Sequence, residues 1–137
     1  MNGKKSKYRL IALDMDGTAL NDEKQMDLLT QAAIHEALKT GKEVVFCTGR
    51  SVAEMVYFLA MFPDMHYLLC ESGALIYDLR EKKSLYRDTI PADAVQALRE
   101  TAAGRDIMPN VFCEGNNCLN RSQADRLAEY GMGPYVN

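Results

Sequence analysis

The sequence predicts an α/β fold, a parallel β-sheet with crossover helices followed by a separate α+β layer. Three observations carry this. Residues 10–13, L-I-A-L, form a short apolar run that stops at Asp14, the pattern of a buried strand in a parallel sheet. Residues 43–47, E-V-V-F-C, repeat the pattern after a helical stretch, and right-handed crossovers lay such strands side by side. From Ser84 onward the order becomes strand, helix, strand, strand, helix, as in an α+β layer.

Taken in order, residues 19–25 are polar and read as a loop. Asp27 caps a helix with apolar positions Leu28, Ala32, Ala33, Ala37 and Leu38, and Gly41 terminates it. His35 on that helix reads as a solvated surface residue. After the second strand, Ser51 with Glu54 three residues later spells a capping box, and Pro63 with Asp64 closes that helix. His66 reads as a loop residue before a third strand at residues 67–70, and a further strand is expected at 75–77. The polar stretch 78–83 marks a change of character, which divides the chain into residues 1–82 and 83–137. Beyond it come a strand at 85–87, a helix opened by Pro91 and ending near Gly104, strands at 107–113 and 118–120 around a turn at 115–117, and a last helix capped by Ser122.

Composition narrows the function classes. With 137 residues, 47% hydrophobic and 26% charged, the chain has the make-up of an ordinary globular protein. A formal charge of -3 argues against nucleic acid as the main partner, and Lys4, Lys5 and Lys7 read as a solvated tail. No run approaches a membrane span, and the N-terminus lacks the apolar centre of a signal peptide, so the expected location is cytoplasmic. Cys47 and Cys70 are expected at buried strand ends. Cys113 and Cys118 flank E-G-N-N, a hairpin turn rather than a zinc knuckle, because no second Cys or His pair completes four ligands.

The chemistry gathers at strand ends. Asp14 and Asp16 follow the first strand with one residue between them, and Gly17-Thr18 then turn the backbone. Ligands of parallel sheets sit outside the carboxyl ends of the strands, and two carboxylates there need solvent, a metal or a task. A capped strand end with two solvated aspartates is the bland alternative. Thr48-Gly49-Arg50 ends the second strand, where a hydroxyl, a close-approach glycine and a guanidinium suit an anion; alone, a plain strand-to-helix turn reads equally well.

The D-M-D-G-T strand end, with T-G-R one β-α-β unit later and E-S-G-A at residues 71–74, resembles the haloacid dehalogenase-like hydrolases. The likeness is strongest to the Cof-type phosphatases with an inserted α/β cap. It implies a Rossmann-like core plus the beginning of an α+β cap, and a Mg²⁺-dependent phosphatase of small phosphorylated metabolites such as sugar phosphates. Asp14 is then the nucleophile that forms an aspartyl-phosphate, Asp16 the acid and base, and Thr48 a phosphoryl contact. Gly17 and Thr18 would present backbone N–H groups to phosphate, Gly49 and Arg50 would meet the substrate, and Mg²⁺ would lie on the Asp14 carboxylate and the Asp16 carbonyl. Ser72 stands where the group usually has Asn.

The same resemblance implies a Lys and an acidic G-D-x-x-N-D-like stretch beyond the cap. After Tyr86 the sequence has neither Lys nor a G-D pair, so it corresponds to the first half of such a protein. In the resembled sheet the strand bearing that acidic stretch flanks the nucleophile strand. Without it, residues 10–13 become an exposed apolar edge that invites self-association. A catalytically inactive fragment acting as a binding or assembly module is the alternative, and a phospho-accepting receiver is a third, less suited to the D-x-D-G-T spacing.

Overall fold

The computed structural model describes residues 7–119 and 121–130. Five strands make one sheet in the order β1 (Leu10–Asp14), β2 (Glu43–Cys47), β3 (Tyr67–Cys70), β4 (Leu75–Asp78), β5 (Lys83–Arg87). β1, β2 and β3 run parallel, while β4 and β5 follow as antiparallel hairpins. The crossover helices are α1 (Leu28–Lys39) and α2 (Val52–Met61). The expected α/β core is therefore present.

β2 is the buried strand, with Val44 and Phe46 fully enclosed. β1 is not: its residues alternate between exposed and half-buried, and Leu10 is 57% exposed. The reading of residues 10–13 as a buried strand is thus corrected, while the expected exposed apolar edge is present. β1 forms one edge of the sheet, so only Ile11 and Leu13 pack on the core. That core joins Met15, Leu20, Met26 and Ile34 to Phe46, Met55, Phe58, Phe62, Met65, Leu68 and Leu75, with the Phe46 and Phe62 rings edge-on at 5.8 Å.

Both helix starts follow the sequence. The Asp27 carboxylate accepts from the Thr30 N–H at 2.7 Å, which holds its pKa below the ordinary value. Ser51 and Glu54 close the capping box on α2. The inward face of α1 differs from the expected one, because Ile34, Ala37 and Leu38 turn inward while Leu28 is 80% exposed and Ala32 and Ala33 face solvent. His35 is half-buried, its ring 4.9 Å from that of Phe62, and not a freely solvated residue. His66 lies just before β3 with Nδ1 3.1 Å from the Glu43 carboxylate.

The expected division at 82/83 falls in the turn between β4 and β5, whose strands share the sheet. Beyond β5 come α3 (Ala92–Ala102), then the hairpin β6 (Asn110–Cys113) and β7 (Asn116–Leu119). The expected strand 107–113 is shorter, and the turn sits at Glu114-Gly115 rather than 115–117. Both residues are left-handed (φ 50° and 79°), the backbone that a tight two-residue hairpin requires. Cys113 faces Asn116 and Cys118 faces Val111, so the two thiols are out of register and exposed. Among the described residues no cluster of three or more His, Cys, Asp or Glu could hold a metal. The expected last helix is a 3-10 segment, Arg121–Arg126, and Ser122's capping side chain, like Gly131 and the residues after it, lies outside what is described. Among the described residues no helix is long and apolar enough to cross a membrane.

Candidate active site

The carboxyl ends of β1, β2 and β3 bring the predicted residues together. Asp14 pairs in register with Cys47, which puts Thr48 one step beyond it on the neighbouring strand. Asp14 is exposed, and its Oδ2 accepts a hydrogen bond from the Thr18 hydroxyl at 2.8 Å. The turn that follows is wound inward: Thr18 N–H donates to the Met15 carbonyl, Ala19 N–H to the Asp14 carbonyl and Leu20 N–H to the Met15 carbonyl. Thr18 therefore offers the site its hydroxyl, not the amide that the sequence suggested. Gly17 turns the chain with φ +79°, a backbone that L side chains seldom adopt.

Thr48 is buried, with its Oγ1 accepting from the Arg50 N–H at 3.1 Å, so the hydroxyl proton remains to be donated. Its position is fixed from both neighbours. Thr48 N–H donates to the Leu69 carbonyl at 3.0 Å, and its own carbonyl accepts from Ser72 N–H at 3.2 Å. Glu71 N–H likewise donates to the Arg50 carbonyl. Glu71, Ser72 and Gly73 are all left-handed, at φ 53°, 56° and 93°, so the E-S-G-A stretch is a strained elbow locked to the T-G-R loop. A Cβ on Gly49 would meet the Ser72 hydroxyl at 3.3 Å, which keeps that position small.

Asp16 faces a different environment from Asp14. The Arg50 guanidinium grips it as a fork, Nε to Oδ2 at 2.9 Å and a terminal nitrogen to Oδ1 at 2.8 Å. Lys24 adds its ammonium to Oδ1 at 3.0 Å. The Arg50 hydrogen bonds hold the Asp16 pKa down at about 2, against the opposing pull of burial and with Lys24 contributing. Arg50 is itself buried, its guanidinium 5.5 Å above the Phe58 ring. It is thus engaged with Asp16, where the sequence suggested a contact with an anionic substrate. Sequence reasoning missed Lys24 entirely; it sits in a loop with no motif to mark it.

Burial, with the Asp14 charge adding to it, raises the Cys47 pKa, and burial pushes Cys70 up to about 12. For a cation, the available donors are hard oxygens, the exposed Asp14 carboxylate and the Asp16 main-chain carbonyl. Mg²⁺ accepts one or two such ligands and fills the rest with water and phosphate oxygens, so these residues fit it.

A profile of the haloacid dehalogenase-like hydrolases matches residues 11–131. The chain belongs to this family. Among curated relatives, an HMP-PP phosphatase of Yersinia pestis (strain Pestoides F) is 29% identical over 120 residues, covering 88% of this chain and 44% of that protein. Among solved structures, a haloacid dehalogenase-like hydrolase of Bacteroides thetaiotaomicron superposes with a TM-score of 0.80 at 21% identity, covering 95% of this chain and 50% of that one. The subclass IIB sugar phosphatase BT4131 superposes at 0.73 with 18% identity, covering 94% and 50%. This chain therefore spans about half the length of the proteins it matches. The family's α/β core is the fold found here.

Proposed function

We propose that this chain carries the nucleophile-bearing part of a Mg²⁺-dependent phosphatase acting on small phosphorylated metabolites. In this reading residues 1–82 belong to the core and 83–137 begin a cap. The observation that carries it is the contrast at the D-M-D-G-T turn: Asp14 lies exposed beside Thr48, while Asp16 is drawn aside by cations. Family membership and the phosphatase names of similar proteins support the reaction class, and the sugar phosphatase neighbour favours a small polar ester.

An Asp14 oxygen attacks phosphorus as the bond to the leaving oxygen breaks, and water then cleaves the acyl phosphate. The Thr18 hydroxyl orients the attacking carboxylate, and the Thr48 hydroxyl donates to a phosphoryl oxygen. Bound Mg²⁺ supplies the positive charge that lets a carboxylate and a phosphoryl dianion approach. Asp16, held ionised, is set to take a proton from the hydrolytic water. To give one to the leaving alcohol it must first gain a proton and loosen the Arg50 fork. Gly17 and Gly49 leave the backbone beside Asp14 and Thr48 without side chains, and a Cβ on Gly49 would crowd the Ser72 hydroxyl. All four cysteines are free, the state a reducing cytoplasm maintains.

Turnover of an aryl phosphate with Mg²⁺ tests this: activity that disappears in Asp14→Asn supports it, and activity unchanged by that substitution refutes it. One observation favours a second reading, a catalytically silent assembly module. β1 leaves an edge with Leu10 exposed, a surface that another strand can join. Light scattering decides here, since a monomer at all concentrations removes self-association.

A further inference from the structure

The β6–β7 turn and the far side of the sheet enclose space that the candidate active site does not use. A cavity of about 200 Å³ lies between the first turn of α2, the β4–β5 pair and that turn. Val52, Leu75 and Tyr77 give it an apolar wall, while Arg87, Glu114 and Asn116 add polar side chains to its lining. Such a volume holds about seven water-sized groups, room for a short carbon chain with polar ends.

Both charged residues stand on fixed backbone. Arg87 faces Leu75 across the β4–β5 ladder, and Leu75 faces Cys70 in turn. The next residue, Asp88, donates its N–H to the Ala74 carbonyl at 2.8 Å, which anchors the strand end. Glu114 opens the tight turn at φ 50°, and Gly115 after it is buried, its carbonyl accepting from the Ala53 N–H of α2 at 3.0 Å. The turn is thereby held at the cavity rather than clear of it.

The two opposite charges do not satisfy each other. Arg87 gives one hydrogen bond to the Ser84 hydroxyl at 3.1 Å, and among the described residues neither it nor Glu114 has an ion-pair partner. A guanidinium carries five N–H donors, so most of those on Arg87 remain to be given. A cation and an anion on one small cavity that leave each other unpaired suit a third molecule bearing both signs.

We propose that this cavity binds a small zwitterion, with an anionic group for Arg87, an ammonium for Glu114 and a short carbon chain for Val52 and Leu75. It is a second site, and it does not depend on the phosphatase reading. The Asn116 side-chain N–H donates to the Glu114 carbonyl at 3.2 Å, which leaves the amide oxygen to accept from the ammonium.

Nuclear magnetic resonance of the isotope-labelled chain tests it, with α-aminobutanoate and γ-aminobutanoate as zwitterions of two charge spacings. Butanoate and butylamine carry one charge each on a chain of equal length. At least one zwitterion is expected to bind about fivefold more tightly than either singly charged probe, the factor that one exposed ion pair supplies. The shifts should fall on the amides of Ala53, Arg87, Gly115 and Asn116. Arg87→Gln should remove that fivefold advantage and leave butylamine as it was, and Glu114→Gln should remove it and spare butanoate. The double variant Arg87→Glu with Glu114→Arg exchanges the two charges and should recover zwitterion binding, which damage to the fold does not. Equal affinity for zwitterions and singly charged probes, shifts away from this lining, single variants that bind as wild type, or a double variant no better than the single ones would each overturn the proposal.

Discussion

Residues 7–88 and the stretch that follows them meet solvent on different terms. The sheet with α1 and α2 encloses a continuous cluster from Met15 to Leu75, several of whose side chains are wholly buried. α3 has no buried residue, and β6 is exposed along its length. Leu98, Val111 and Phe112 lie in the open. Among the described residues a joint between the regions is the Gly115 carbonyl, which accepts from Ala53 N–H in the first turn of α2. The site belongs to the first region, where strand ends are fixed by packing. Apolar residues in a chain therefore do not have equal energetic weight.

The comparison predicts its own stability map. Phe46→Ala should cost about 3–5 kcal/mol by chemical denaturation, as a large ring leaves a cavity in a closed core. Leu98→Ala should change it by less than about 0.5 kcal/mol, since an exposed position loses little. Equal losses in the two variants would erase the distinction. Next in size, Arg50→Met removes the fork and leaves Asp16 with Lys24 alone; about 1–3 kcal/mol is expected for charged hydrogen bonds that are partly solvated. A variant as stable as wild type would mean that the fork adds nothing to folding.

Gly115→Ala sharpens the joint. It combines φ +79° with a Cβ 3.3 Å from that of Val52, so the hairpin tip must lift from α2 or the turn must strain. A loss of about 1–2 kcal/mol is expected for the left-handed backbone. Amide exchange should also quicken at Ala53 and not at Phe46. The smallest effect is acid dependence. The folded-state pKa of Asp16 lies near 2, below its ordinary 3.8. Its contribution is therefore complete above about pH 4 and fades as pH falls toward 2. Arg50→Met should flatten that part of the pH–stability curve, and an unchanged curve would assign it to other carboxylates.

Much of this was legible because it is local. Asp27, Ser51 with Glu54, and Gly41 announce helix ends through bonds made within a few residues. The Asp14 and Thr48 placements follow from strands that stop where apolar residues stop. What escaped depends on partners distant in the chain. The inward face of α1 turns on how the helix seats against the sheet: Ile34 goes inward while Leu28 stays exposed. The direction of the Arg50 side chain depends on Phe58 beneath it and Asp16 across from it. Lys24 reaches the site only because Asn21 forces an unfavoured φ, which no periodicity encodes.

The central claim is that the two aspartates have diverged, one open to phosphorus and one held by cations. The direct measurement is acid-quenched peptide mass spectrometry after brief mixing with Mg²⁺ and an aryl phosphate. The account predicts a phosphoryl group on the side chain of Asp14, missing from Asp14→Asn and still formed in Asp16→Asn. A phosphoryl group found on Asp16 instead, or turnover that persists in Asp14→Asn, would contradict it.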